Sequence, residues 1–222
     1  MKSHWFFDLD GTLADTQGDI IGAWKAALAD LKLDCPDFDR KFVTGPSIDE
    51  VTRTLFPDLY SPALVEDIRE RFGAHYDGDG FPTTREYPGV LDAVRRIRRA
   101  GAKVYIATNK RYAGTILMAR HFGWDRVFDG IYSGDMHKDD QIGKLRKPEL
   151  LALILREIGA KPSDCVMVGD TINDFEAAKA NGILSLSVSW GYGKPDERLA
   201  ADGVFSVDGG LMNGILATSS AV

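Results

Sequence analysis

Asp8-Leu9-Asp10-Gly11-Thr12 sets two carboxylates one residue apart, directly after the apolar run Trp5-Phe6-Phe7 and directly before a glycine turn. Like charges this close repel unless a cation or a proton intervenes. Alone, the motif reads as a turn whose aspartate caps a helix, but three further groups accompany it. Thr108-Asn109-Lys110 closes a second apolar run, and a hydroxyl with backbone N–H groups ahead of a helix can cradle a phosphate; alone, it would be an ordinary N-cap. Lys147-Pro148 opens a helical stretch with Lys144 and Arg146 close by. A lone lysine there is usually solvated, yet a phosphate site needs such a cation. Gly169-Asp170-Thr171-Ile172-Asn173-Asp174 follows another apolar run. Asp170 and Asp174 stand about one helical turn apart, so both can face one point. Oxygen-only donors of this sort suit Mg2+, which keeps several waters and takes one or two carboxylates.

These groups need strands to carry them. Trp5-Phe6-Phe7, Lys103–Ala107, Gly130–Ser133, Cys165–Val168 and Ile183–Val188 are the β-prone runs. Most are too continuously apolar for a one-sided sheet, which suits parallel strands covered on both faces. Between them, Val90-Leu91-Val94-Ile97 recur at helical spacing after Pro88, with arginines on the other face. Leu150-Leu151-Ile154-Leu155-Ile158 do the same and stop at Gly159, which suits a C-cap. Alternating strands and helices predict a doubly wound, Rossmann-like α/β sheet, and ligands bind such sheets at the carboxyl ends of the strands.

One stretch breaks the alternation. From Thr16 to Arg85 there are helical patterns, Ile20-Ile21-Trp24-Ala27-Leu28-Leu31 and Leu64-Ile68-Phe72, and no convincing strand. The expected organisation is an α/β core of residues 1–15 and 86–222, with a small helical cap of residues 16–85 inserted after the first strand. The cap is too long for a simple connection and too helical for a linker. Within it, Thr44-Gly45-Pro46-Ser47 is the candidate substrate-reading loop: glycine permits close approach, proline stiffens it, and a helix can start at Ser47. The small, polar tail Ala217–Val222 is expected to be disordered.

Composition narrows the partners. A chain of 222 residues, 44% hydrophobic and 27% charged, can fold without disulfides or structural metal. Its net charge of −6 argues against a nucleic-acid or anionic-membrane surface. Cys35 and Cys165 are far apart and outside any Cys-x-x-Cys pair, and no window approaches the ~18 apolar residues of a membrane helix. A cytoplasmic protein is expected, acting on a small phosphorylated metabolite, with monomer and dimer both open.

In this order, Asp8-Leu9-Asp10-Gly11-Thr12, Thr108, Lys147 and Gly169-Asp170-x-x-x-Asp174 resemble the haloacid dehalogenase superfamily across nearly the whole chain. The cap, Gly45-Pro46, Tyr87-Pro88-Gly89-Val90 and Trp190-Gly191-Tyr192-Gly193 are similar to its phosphoglycolate-phosphatase-like branch. The resemblance implies that Asp8 is the nucleophile of an aspartyl-phosphate route, and an aspartate of pKa about 3.9 needs no base to activate it. Asp10 is implied as general acid and then general base, a role that needs a raised pKa, which Asp8 could help supply. Thr108 and neighbouring N–H groups, with Asn109, would hold phosphoryl oxygens. Lys147, in preference to Lys144 or Lys138, would neutralise phosphate and Asp8. Mg2+ would sit on Asp8, the Asp10 carbonyl and Asp170, with Asp174 directing its water; Gly45 and Pro46 would meet the substrate.

Within that superfamily an acidic residue at position 10 points to phosphatases and phosphomutases. A β-phosphoglucomutase-like sugar phosphomutase is therefore the nearest alternative, and an inactive binding module on the same fold is another. Phosphonate hydrolysis would need a cap lysine forming an imine, and Lys25, Lys32 and Lys41 stand in no distinctive motif.

Overall fold

The computed structural model describes residues 2–136 and 144–207; Lys138 and the tail lie outside them. The chain divides into two compact units, residues 1–15 with 85–222, and residues 16–84.

The strands are β1 (His4–Phe7), β2 (Ala14–Asp15), β3 (Arg85–Glu86), β4 (Lys103–Thr108), β5 (Gly130–Ser133), β6 (Cys165–Gly169), β7 (Leu184–Val188) and β8 (Gly203–Phe205). The helices are α1 (Gln17–Asp30), α2 (Phe38–Lys41), α3 (Ile48–Leu55), α4 (Pro62–Gly78), α5 (Val90–Arg99), α6 (Tyr112–His121), α7 (Lys147–Ile158) and α8 (Ile172–Ala180).

Six strands form one sheet in the order β5-β4-β1-β6-β7-β8, with every neighbouring pair parallel. Hydrophobic continuity explains the placing of β1. Phe6 and Phe7 point to opposite faces and both are fully buried, which stabilises the fold by about 2–3 kcal/mol apiece. Phe6 joins Tyr105, Met167, Leu150, Leu151, Ile154, Ala177 and Ala178 in one core cluster. Phe7 instead meets Phe128 and Phe205 edge-on, with ring centroids 6.1 and 5.9 Å away. α5 buries Val90, Leu91, Val94 and Ile97 and leaves its arginines outside. α7 ends at Gly159 in the left-handed region, φ 64°.

Two differences from the sequence reading have physical causes. β8 is only three residues long and its Val204 is exposed, so no apolar run marks it. Arg85 falls in the first unit because it pairs with Asp15 in the antiparallel β2–β3 ladder.

The 16–84 unit is helical. Trp24 of α1 packs against Phe72 of α4 and against Phe42, with centroids 5.9 and 5.8 Å apart. α3 starts at Ser47 through a capping box: the Ser47 hydroxyl accepts the Glu50 N–H, and Glu50 Oε2 accepts the Ser47 N–H. Asp19, in the first turn of α1, accepts from Thr83 N–H (3.0 Å), Thr83 Oγ1 (2.6 Å), Thr84 N–H (2.8 Å) and Thr84 Oγ1 (2.5 Å). The first turn of α1 and the end of the unit are thereby clasped together.

Candidate active site

The sheet register decides which side chains meet. β1 lies between β4 and β6, with Phe7 level with both Ile106 and Val168. The next residues therefore leave the sheet side by side, and the Asp8 N–H donates to Val168 O at 2.9 Å. The order β4-β1-β6 is where a doubly wound sheet reverses direction, the usual ligand crevice.

Lys147 reaches this point from the first turn of α7. Its ammonium donates to Asp8 Oδ1 and to Ala107 O, each at 2.8 Å, and lies 2.9 Å from Asp174 Oδ1. Only 2% of the side chain is exposed. Asp174 Oδ2 caps its own helix, accepting the Thr171 N–H and hydroxyl at 3.2 and 3.1 Å. That leaves Oδ1 buried beside Lys147 with no aligned hydrogen bond. Asp170 Oδ2 accepts the Tyr192 N–H at 2.7 Å, and Oδ1 accepts from Thr12 Oγ1 at 3.4 Å. Gly11 adopts φ +78°, and a Cβ there would collide with the Asp170 carboxylate, so the glycine permits the first and last motifs to touch.

Asp8, Asp170 and Asp174 offer carboxylate oxygens within 4.8 Å of one another. Burial, opposed by Lys147 but reinforced by Asp174 and Asp10, raises the Asp8 pKa from 3.8 to about 6. Asp8 is thus less acidic than its unperturbed value suggests, although still mostly ionised at neutral pH. Burial and the Asp174 and Asp8 charges push Asp170 up to about 8. Burial would lower Lys147, but Asp174 and Asp8 outweigh it and hold the ammonium charged. Three carboxylates sharing one lysine, two of them strained toward protonation, make a donor set that fits a hard divalent cation.

The other expected residues fall as follows. Thr108 is buried at the end of β4, its hydroxyl accepting the Lys110 N–H at 3.2 Å. Asn109 is exposed. Lys144 is exposed too, so among the described lysines of that segment Lys147 makes the contact with Asp8. Gly45 and Pro46 are exposed between α2 and α3 in the 16–84 unit. The Asp10 carboxylate stands apart from the three-aspartate cluster and is held by Lys110, whose Nζ lies 3.0 Å from Oδ1 and 3.2 Å from Oδ2. The lysine, rather than Asp8 alone, is thus its immediate charged neighbour. Sequence reasoning missed this role for Lys110 and the Tyr192 N–H on Asp170; the only signals were their positions inside the Thr108 and Trp190 motifs.

The haloacid dehalogenase-like hydrolase family profile matches residues 4–182, and the chain belongs to that family. It is 31% identical over 194 residues to the 5'-nucleotidase of Pseudomonas aeruginosa, covering 86% of this chain and 84% of that one. It is 32% identical over 192 residues to a phosphoglycolate phosphatase of Mesorhizobium japonicum, covering 84% and 82%. The crystal structure of CbbY from Rhodobacter sphaeroides in complex with phosphate superposes with a TM-score of 0.76 at 25% identity, over 92% of this chain and 94% of that one. Fold, motifs and relatives together define a phosphoric monoester hydrolase of the phosphoglycolate-phosphatase-like kind. Among the described residues no helix is long and apolar enough to cross a membrane.

Proposed function

We propose that the chain is a Mg2+-dependent phosphatase that hydrolyses a small phosphomonoester through an aspartyl-phosphate on Asp8. The observation that carries this reading is Lys147 set between Asp8 and Asp174, with Asp170 in reach of both aspartates. Asp8, Asp170 and Asp174, with the Asp10 carbonyl, are the residues that would hold Mg2+, which supplies positive charge against the repulsion between nucleophile and phosphate. Lys147 orients the Asp8 carboxylate and shares its charge; Thr108, with Asn109 and the backbone N–H groups nearby, binds the remaining phosphoryl oxygens. Asp8 Oδ attacks phosphorus and the ester oxygen leaves, taking a proton from Asp10. Water then attacks the same phosphorus and gives its proton to Asp10, and inorganic phosphate and the Asp8 carboxylate are released. The free, unpaired state of both cysteines suits a cytoplasmic enzyme.

Gly45 and Pro46 supply selectivity among phosphate esters in this reading. Support comes from the exposure of the turn and from Gly45 at φ +119°, where a Cβ would meet nothing within 4 Å. Phosphate release from p-nitrophenyl phosphate and a panel of phosphorylated metabolites, with and without chelator, tests the assignment. Asp8→Asn is expected to abolish release while the circular dichroism spectrum is retained; turnover within about tenfold of wild type would remove Asp8 from its role. Gly45→Arg is expected to change the preference among esters with the Mg2+ titration unmoved.

A further inference from the structure

Lys110 lies outside the Asp8–Asp170–Asp174–Lys147 cluster, yet it is no surface lysine. Only 9% of its side chain is exposed, against 22% for Asp10, and its Nζ engages both oxygens of that carboxylate. Its backbone is fixed too, through the N–H donated to Thr108 Oγ1. A lysine held at both ends and gripping a carboxylate through both oxygens fixes the direction in which that carboxylate points, at the cost of rotamer entropy for the long chain.

From this geometry we infer that Lys110 is a positioning residue for Asp10, holding its carboxylate where it accepts a proton from the attacking water. The inference rests on the aspartyl-phosphate reading above. In the second half-reaction the water oxygen bonds to phosphorus, the bond from phosphorus to the Asp8 oxygen breaks, and the water proton passes to Asp10. The ammonium, 3.0 and 3.2 Å from the two carboxylate oxygens, fixes where that proton is received. Lys147 cannot substitute, because its three contacts are to Asp8, Asp174 and Ala107 O.

The test uses p-nitrophenyl phosphate, whose leaving group departs without a proton, with rapid quenching and chemical trapping of the acyl phosphate. Lys110→Met is expected to release nitrophenolate in the first turnover at the wild-type rate. Its phosphoenzyme should break down about 10–100-fold more slowly and accumulate, as for a catalytic group displaced by about 1 Å. Lys110→Arg, which keeps the cation, should recover most of that loss. Lys110→Met added to Asp10→Asn should change nothing further, since a residue acting through another has no separate effect once that partner is gone. These rates are ratios per phosphorylated enzyme, so a smaller folded fraction leaves them unmoved. A raised KM with normal phosphoenzyme breakdown, or losses that multiply in the double variant, would overturn the inference and place Lys110 on the substrate. Absence of any trapped phosphate from the wild type would overturn the covalent reading as well, and is told apart by that.

Discussion

Lys147 Nζ lies 2.8 Å from Asp8 Oδ1, with the lysine side chain 2% and the aspartate 13% exposed. The pair is buried, and Asp174 makes it a triad. Removing one member of such a group leaves uncompensated charge in a dry setting. Lys147→Met is therefore expected to lower stability by about 3 kcal/mol in chemical denaturation and to cost at least ~100-fold in kcat. A variant with wild-type stability would show that water already compensates these charges.

The cluster also sets a pH dependence. Asp8 and Asp170 have folded pKa values raised above 3.8, to about 6 and about 8. The folded protein thus holds protons that the unfolded chain has released, and its stability is fully present below the unfolded value and lost as pH rises through the folded ones. In chelator, the melting temperature is expected to fall by about 5 °C between roughly pH 4 and pH 8. Saturating Mg2+ should flatten that fall, since a cation replaces the protons. A chelated protein that melts higher at pH 8 than at pH 5 would contradict the assignment of the cluster.

Asp170→Asn should raise the Mg2+ concentration for half-maximal activity by tenfold or more, because few anionic donors share the ion. Asp174→Asn should act in the same direction more weakly, since one of its oxygens is engaged by Thr171. Mn2+ binding followed by magnetic resonance reads the same order without turnover. Equal affinities in all three proteins would move the metal elsewhere.

Asp19 carries the fourth expectation. Burial opposes its ionisation, but the hydroxyl and backbone donors of Thr83 and Thr84 outweigh that and lower its pKa. Asp19→Ala strands those donors and is expected to cost about 2–4 kcal/mol in the stability of the 16–84 unit. Asp19 contributes above the ordinary carboxylate range and loses that contribution as pH falls through its depressed folded value. The gap between variant and wild type should accordingly narrow in acid; hydrogen exchange across α1 and α4 measures both effects.

Much of this was legible in the residues. Phe6-Phe7 and Val166-Met167-Val168 are buried on both faces, and two-sided burial writes itself as an unbroken apolar run. The carboxylates and Lys147 stand at strand and helix ends, where opposite charges can be buried against one another beside the apolar runs. Lys110 was less readable. Its bond to Asp10 spans 100 positions and exists only because β1 and β4 are paired in one register. The rise in the Asp8 pKa was not readable for a similar reason, since desolvation depends on what covers a residue. β8 escaped because three residues with one exposed valine resemble any loop.

The β2–β3 ladder, Ala14 opposite Glu86 and Asp15 opposite Arg85, brings the two chain crossings side by side. Strands so paired lie about 5 Å apart, a gap that a short turn can close as readily as a long excursion. Everything between Thr16 and Thr84 is then a cassette plugged into a fixed socket. It could be shortened, lengthened or exchanged without disturbing the register of β1, β4 and β6, which leaves the sheet that carries the aspartates and the helical segment free to diverge at different speeds.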